Sequence, residues 1–192
     1  MRVLGIAGSP RQGGNTDILL KRFLEGAAES GAETVMLRAC DLKISGCLHC
    51  DNCLETGRCS VDDDMQKVYP ELEAAEGIVI ASPLHFMGIS GQLKLLIDRC
   101  QALWARKYVL KIPPLGDTRE RKGFFISVGG RKAVPNLFDG ELSTIKSLFK
   151  STDVSYIGSI LVPEIDAMRE IEKYPQQLEQ AYDSGKHFAA GY

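Results

Sequence analysis

Cys47, Cys50, Cys53 and Cys59, four of the six cysteines in the chain, are separated by two, two and five residues. Neutral thiols gain little from such crowding, whereas deprotonated sulfur binds soft metals strongly. A structural zinc ion draws its sulfurs in on bonds of about 2.3 Å and usually takes two separated pairs from different turns. Successive Cys-x-x-Cys steps suit an iron-sulfur cubane better, since bacterial ferredoxins repeat the same two-residue spacing. Gly57 is available to turn the chain back toward Cys59. The expectation is a [4Fe-4S] cluster held by these four residues within the loop 46–60. Zinc, a disulfide or unligated cysteines are the alternatives.

A second stretch with chemistry is Gly8-Ser9-Pro10-Arg11-Gln12-Gly13-Gly14-Asn15-Thr16. It follows a short apolar run, Arg2 to Ala7, and precedes Ile18, Leu19, Leu20, Phe23, Leu24 and Ala27 at helical spacing, so it joins a strand to a helix. Such a loop aims backbone N–H groups and the positive helix end at an anion, and phosphate is the natural occupant. Ser9, Asn15 and Thr16 offer side-chain hydrogen bonds, and Arg11 a charge. Gly14-Asn15-Thr16 stands where a Walker A loop needs Gly-Lys-Ser/Thr, and Gly5-Ile6-Ala7-Gly8 does not fit Gly-x-Gly-x-x-Gly. These spacings exclude both nucleotide motifs. The alternative is a plain polar turn capped by Asn15 or Thr16.

The third stretch, Ser82-Pro83-Leu84-His85-Phe86-Met87-Gly88, leaves the strand Ile78-Val79-Ile80-Ala81. Pro83 and Gly88 restrict and bend it, and Leu84, His85, Phe86 and Met87 present a mostly apolar wall to an aromatic ring. The same residues also suit a hydrophobic loop packed on its own domain or on a partner subunit. A further glycine loop, Gly129-Gly130-Arg131-Lys132, follows the strand Phe124–Val128.

The elements that must position these loops are five strands, at 2–7, 33–37, 78–81, 124–128 and 154–162, alternating with helical stripes. That alternation predicts a doubly wound α/β domain over residues 1–192, and right-handed crossovers leave few topologies. Every loop above then leaves the carboxyl end of a strand, where open parallel sheets bind ligands. Asp62-Asp63-Asp64 reads as the charged start of a helix from Met65 to Ala75, and Asp98-Arg99 as a structural ion pair or interface contact. Cys100 reads as a buried thiol. Residues 103–122 read as a basic, proline-containing surface excursion whose Trp104 hints at a subunit interface, and 164–190 as a last helix broken at Tyr174-Pro175.

The 23 basic and 25 acidic residues are interspersed, and the net charge of -2 creates no field that would gather nucleic acid or an anionic membrane. No stretch nears the ~20 apolar residues of a spanning helix, and the first apolar run is too short for a signal peptide. A cytoplasmic protein is expected, with neither nucleic-acid nor membrane partners. In that reducing compartment cysteines serve as metal ligands or buried thiols more often than as disulfides.

With its loops in place, the chain resembles the flavodoxin-like NAD(P)H-dependent FMN reductases, and within them the iron-sulfur flavoproteins first known from methane-producing archaea. Gly8-Ser9-Pro10-Arg11 with Gly14-Asn15-Thr16, the compact cysteine run before Asp62-Asp63-Asp64-Met65, Ser82-Pro83 with Met87-Gly88, Asp98-Arg99 and Ser127-Val128-Gly129-Gly130 carry the likeness. It implies a five-stranded parallel sheet in the order 2-1-3-4-5 with helices on both faces. It further implies FMN phosphate at Ser9, Arg11, Asn15 and Thr16. The isoalloxazine ring would lie against Pro83, Leu84, His85, Phe86, Met87 and Gly88, and against Ser127, Val128, Gly129 and Gly130. Cluster ligation falls to Cys47, Cys50, Cys53 and Cys59. A homodimer or homotetramer is implied, each cluster near a neighbouring subunit's flavin.

His85-Phe86 stands where related proteins often carry valine or tyrosine. His85 is therefore the candidate catalytic residue, giving a proton or hydrogen bond to the flavin, with a plain packing histidine as the alternative. The function implied is an FMN-dependent oxidoreductase passing electrons between FMN and a [4Fe-4S] cluster, with ferredoxin or NAD(P)H as redox partner and a small molecule as acceptor. An NAD(P)H-dependent flavin or quinone reductase without a functional cluster, or a redox-sensing flavin-binding module, are the alternatives.

Overall fold

In the computed structural model, which describes residues 1–190, the apolar runs form β1 (Arg2–Ala7), β2 (Glu33–Arg38), β3 (Gly77–Pro83), β4 (Arg121–Val128) and β5 (Val154–Val162). All pair in parallel, in the order β2-β1-β3-β4-β5. This is the flavodoxin-like arrangement that the resemblance implied. The central strands β1, β3 and β4 are buried along nearly their whole length, as continuous apolar runs must be when helices cover both faces of a sheet. Their register sets Ala7 beside Ala81 and Ala81 beside Ile126, so the loops after them emerge at one level.

Alternate side chains divide the core in two. On one face Val3, Val79 and Phe124 pack with Leu19, Leu20 and Phe23 of α1 (Asn15–Glu29) and Phe188 of α7 (Pro175–Ala189). On the other face Ile6, Ile80 and Phe125 pack under α3 (Met65–Ala74), α4 (Gly91–Arg99), α5 (Gln101–Tyr108) and α6 (Asp139–Ser151), through Met65, Leu93, Leu103 and Ile145. Helices α1 and α7 cross backbone to backbone. A Cβ on Gly26 would strike the carbonyl of Tyr182, and one on Gly185 that of Phe23.

Two expectations are corrected. Residues 103–122 are a surface excursion only in part: α5 runs on to Tyr108 with Leu103 and Ala105 buried, whereas 109–120 form a largely exposed loop anchored by buried Leu115. The basic residues between them hid this apolar stripe. The segment after β5 is not one broken helix either. Its first residues form turns and a short 3-10 turn at Glu170–Lys173, and α7 starts at Pro175, where proline's missing N–H costs nothing. Asp98 and Arg99 are not paired with each other, since Asp98 holds Lys94 at 2.6 Å and Arg99 holds Asp63 at 2.6 Å. Cys100 is buried, and burial pushes its thiol up to about 12. Among the described residues no helix is long and apolar enough to cross a membrane.

Candidate functional site

The loops after β1, β3, β4 and β5 enclose a pocket lined by Ser9, Arg11, Asn15, Thr16, Pro83, Leu84, His85, Val128 and Gly130 from the expected set. Its remaining wall comes from Pro10 and Gly14 in the first loop and from Ile165, Asp166 and Met168 after β5. Helix α1 starts at this pocket with Gly14 as an N-cap that offers no side-chain acceptor, leaving its first N–H groups to whatever anion sits there. The loop is braced from behind. The buried Asp17 carboxylate accepts from the Gly13 N–H at 2.9 Å and pairs with Arg38, whose guanidinium also donates to the Ser9 carbonyl at 3.3 Å.

Two of the expected phosphate residues have protein partners. Arg11 donates to the Asp166 carbonyl at 3.1 Å, and the Asn15 amide donates to the Ala167 carbonyl at 2.9 Å while accepting from the Ile171 N–H at 3.1 Å. Both ends of Asn15 thus fasten the segment after β5 to the first loop. Ser9 Oγ accepts from the Arg11 N–H at 3.1 Å, and Ser9 and Thr16 are themselves buried.

Loop 84–88 is a two-residue hairpin. The Leu84 N–H donates to the Val128 carbonyl at 2.9 Å, and His85 and Gly88 exchange backbone hydrogen bonds at 2.8 and 2.9 Å. Phe86 and Met87, at φ 49° and 65°, occupy the left-handed turn positions that Asn and Gly normally fill. Phe86 is fully exposed and Met87 partly so, and neither joins His85 in lining the pocket. Gly88, Ser127 and Gly129 do not line it either. Ser127 points inward and donates to Glu141 Oε2 at 2.6 Å. Glu141, in the first turn of α6, is fully buried, and its Oε1 has no hydrogen-bond partner. Burial pushes its carboxyl up to about 8, although the Ser127 hydroxyl opposes this. Glu141 shares the first turn of α6 with Asp139, where acids read as dipole matching, so nothing in the sequence marked it as buried.

Cys47, Cys50, Cys53 and Cys59 ring a second pocket with Ser60, Val61, Arg99, Gln101 and Ala102. The loop bearing them leaves the carboxyl end of β2, through a 3-10 turn at Ala39–Asp41, and contains a short helix, α2 (Asn52–Thr56). Gly57 ends α2 at φ 67°, and Arg106 of α5 donates to its carbonyl at 2.8 Å. The acidic run clasps the two stems of the loop. Asp64 accepts from the Lys43 N–H at 2.8 Å, and Asp63 accepts from the N–H groups of Ser45 and Met65, both at 3.0 Å, the second capping α3. The Ser60 hydroxyl, 3.4 Å from Cys50 Sγ, holds that thiol below its ordinary range, whereas burial raises Cys53. Among the described residues no three or more His, Cys, Asp or Glu side chains are gathered tightly enough for a single metal ion. The two pockets share none of their lining residues.

The profile of the NADPH-dependent FMN reductase family matches residues 1–135. The chain is 41% identical over 103 residues to an iron-sulfur flavoprotein of Methanocaldococcus jannaschii, across 54% of this chain and 53% of that protein. It is 33% identical over 148 residues to an iron-sulfur flavoprotein of Methanosarcina thermophila, across 77% and 71%. The first match therefore spans only about half of its relative's length. The solved structure of a flavone reductase superposes with a TM-score of 0.74 at 21% identity, over 98% of this chain and 62% of that one. With strand order, strand-end pocket and sequence in agreement, the chain belongs to the NADPH-dependent FMN reductase family.

Proposed function

We propose that the chain is a single FMN-binding domain acting as a flavin-dependent oxidoreductase, in which the cysteine loop holds a [4Fe-4S] cluster. The observation that carries this is the ring of four cysteines around one pocket, with a buried arginine among its walls. The four cysteines line one pocket together, and their successive two-residue steps suit a cubane better than one zinc. The donor set is all thiol, as iron-sulfur chemistry requires. When bound, FMN would exchange one or two electrons and the cluster one at a time.

The chain's own contribution is binding and placement. Ser9, Thr16 and the first N–H groups of α1 receive a phosphate, and the side chains of Arg11 and Asn15 keep the segment after β5 closed over it. Pro83, Leu84 and His85 on one side, and Val128, Gly130, Ile165 and Met168 on the other, give a planar ring its walls. His85 stands at this wall as the hydrogen-bond or proton donor. A homodimer or homotetramer belongs to this reading, a second copy bringing cage and ring together.

The donor is ferredoxin or NAD(P)H. A flavin or quinone reductase without a cluster is the second reading, favoured by the family profile over residues 1–135. Anaerobic visible spectra with iron, sulfide and flavin assays separate the two. Iron, sulfide and flavin together support the proposal, and flavin alone supports the second reading. Cys50→Ala should abolish iron and leave FMN bound; a variant with full iron and sulfide would overturn the ligand assignment.

A further inference from the structure

The side chain of Arg99 is fully buried, yet its charge belongs to neither core. Its guanidinium reaches from α4 to both stems of the cysteine loop. Nη1 donates to the Ser45 carbonyl at 3.0 Å and to Asp63 Oδ2 at 2.6 Å, and Nη2 donates to the Val61 carbonyl at 3.2 Å. Nε is buried without a partner. The guanidinium also faces Cys59 closely enough for the two side chains to interact, and both line the same pocket. The Tyr69 hydroxyl, donating to the Arg99 carbonyl at 2.8 Å, approaches the same sulfur.

Cys59 is thus set apart from Cys47 and Cys50, which are exposed. A buried cation with an unused donor beside a sulfur ligand is suited to an anionic occupant, because an orphaned buried N–H is unfavourable until something accepts from it. Charge and hydrogen bonds near the sulfurs are established levers on the potential of such a centre.

We propose that Arg99 is a positioning residue of the cysteine cage: its buried guanidinium ties the loop's two stems together and, beside Cys59, raises the reduction potential of the cluster held there. This rests on the cluster reading above. In the step concerned, the oxidised centre takes up one electron from an external reductant and gains one negative charge. No bond to Arg99 forms or breaks. Asp63 offsets part of the arginine's charge, so its removal should act in the opposite sense. A purely structural ion pair would make both losses alike.

The test is a dye-mediated anaerobic titration of the whole protein with dithionite, following the cluster's reduced-state paramagnetic signal, on wild type, Arg99→Gln, Arg99→Lys and Asp63→Asn. Arg99→Gln is expected to weaken the centre's hold on the electron about tenfold, a fall of about 59 mV for a one-electron couple. Arg99→Lys should recover most of that shift, and Asp63→Asn should move the potential upward. An unchanged potential in Arg99→Gln, or a downward shift in Asp63→Asn, would overturn the proposal. If Arg99→Gln loses its iron, the direction of the Asp63→Asn shift decides alone. Wild type carrying flavin but neither iron nor sulfide would remove the cluster reading, and this inference with it.

Discussion

Glu141→Gln should flatten the pH dependence of stability. The Glu141 carboxyl has one hydrogen-bond donor, Ser127, no partner at Oε1, and a value raised by burial from the usual 4.5 to about 8. The folded state therefore keeps a proton that the unfolded chain releases. The sign follows from linkage. The contribution is fully present below about 4.5 and is lost as the pH rises through about 8, at about 1.4 kcal/mol per pH unit. Across the interval the loss reaches roughly 3 to 5 kcal/mol. That is a large share of a typical domain stability of about 5 to 15 kcal/mol. Urea denaturation of wild type and variant at pH 5, 6, 7, 8 and 9 isolates the effect, because other titrating groups are common to both curves. The difference between the curves should fall by roughly 3 to 5 kcal/mol from pH 5 to 9. A difference flat to within about 1 kcal/mol would refute the assignment of a protonated carboxyl at neutral pH.

Replacing Phe86 by Asn together with Met87 by Gly supplies the residues that a turn with two positive φ angles prefers. Thermal unfolding should show a gain of roughly 1 to 3 kcal/mol, and fluorescence titration unchanged FMN retention, since neither side chain lines the pocket. An unchanged melting temperature would mean the turn is unstrained. Gly57→Ala would place a Cβ 3.1 Å from Arg106 and Leu110 at a φ of 67°, so stability should drop by roughly 1 to 2 kcal/mol and iron loading should fall with it. His85→Gln should leave FMN bound but lower the steady-state rate of flavin reduction, since His85 lines the pocket wall. An unchanged rate would reduce His85 to a wall residue.

What the sequence showed was whatever a single segment encodes. Short, continuous apolar runs and helical stripes sufficed for five parallel strands, because burial on both faces leaves the central strands no choice of residue type. The loops at the strand ends were legible from glycine, proline and polar residues acting locally, and the cysteine spacing is local as well. The errors at 103–108 and 164–174 have the same origin reversed. Ala102, Leu103 and Ala105 are buried by packing against distant elements, which their basic neighbours conceal, and the turns after β5 are held by Arg11 and Asn15 from the far end of the chain.

The site's hidden members follow the same division. Glu141 matters because Ser127, fourteen residues away, turns inward to meet it. Arg99 matters because Asp63, Ser45 and Val61 converge on it from both stems of a loop. Chemical type is therefore readable residue by residue, but allocation is not: Asn15 has the right groups for a phosphate and gives both to residues 167 and 171. The consequence reaches function. One chain builds an anion pocket over β1 and a ring of thiols beyond β2, and the two share no lining residue. Under the proposed function, electron exchange between them would depend on how two copies meet, with Phe86 exposed on the hairpin after β3 and Cys47 and Cys50 exposed on the cysteine loop.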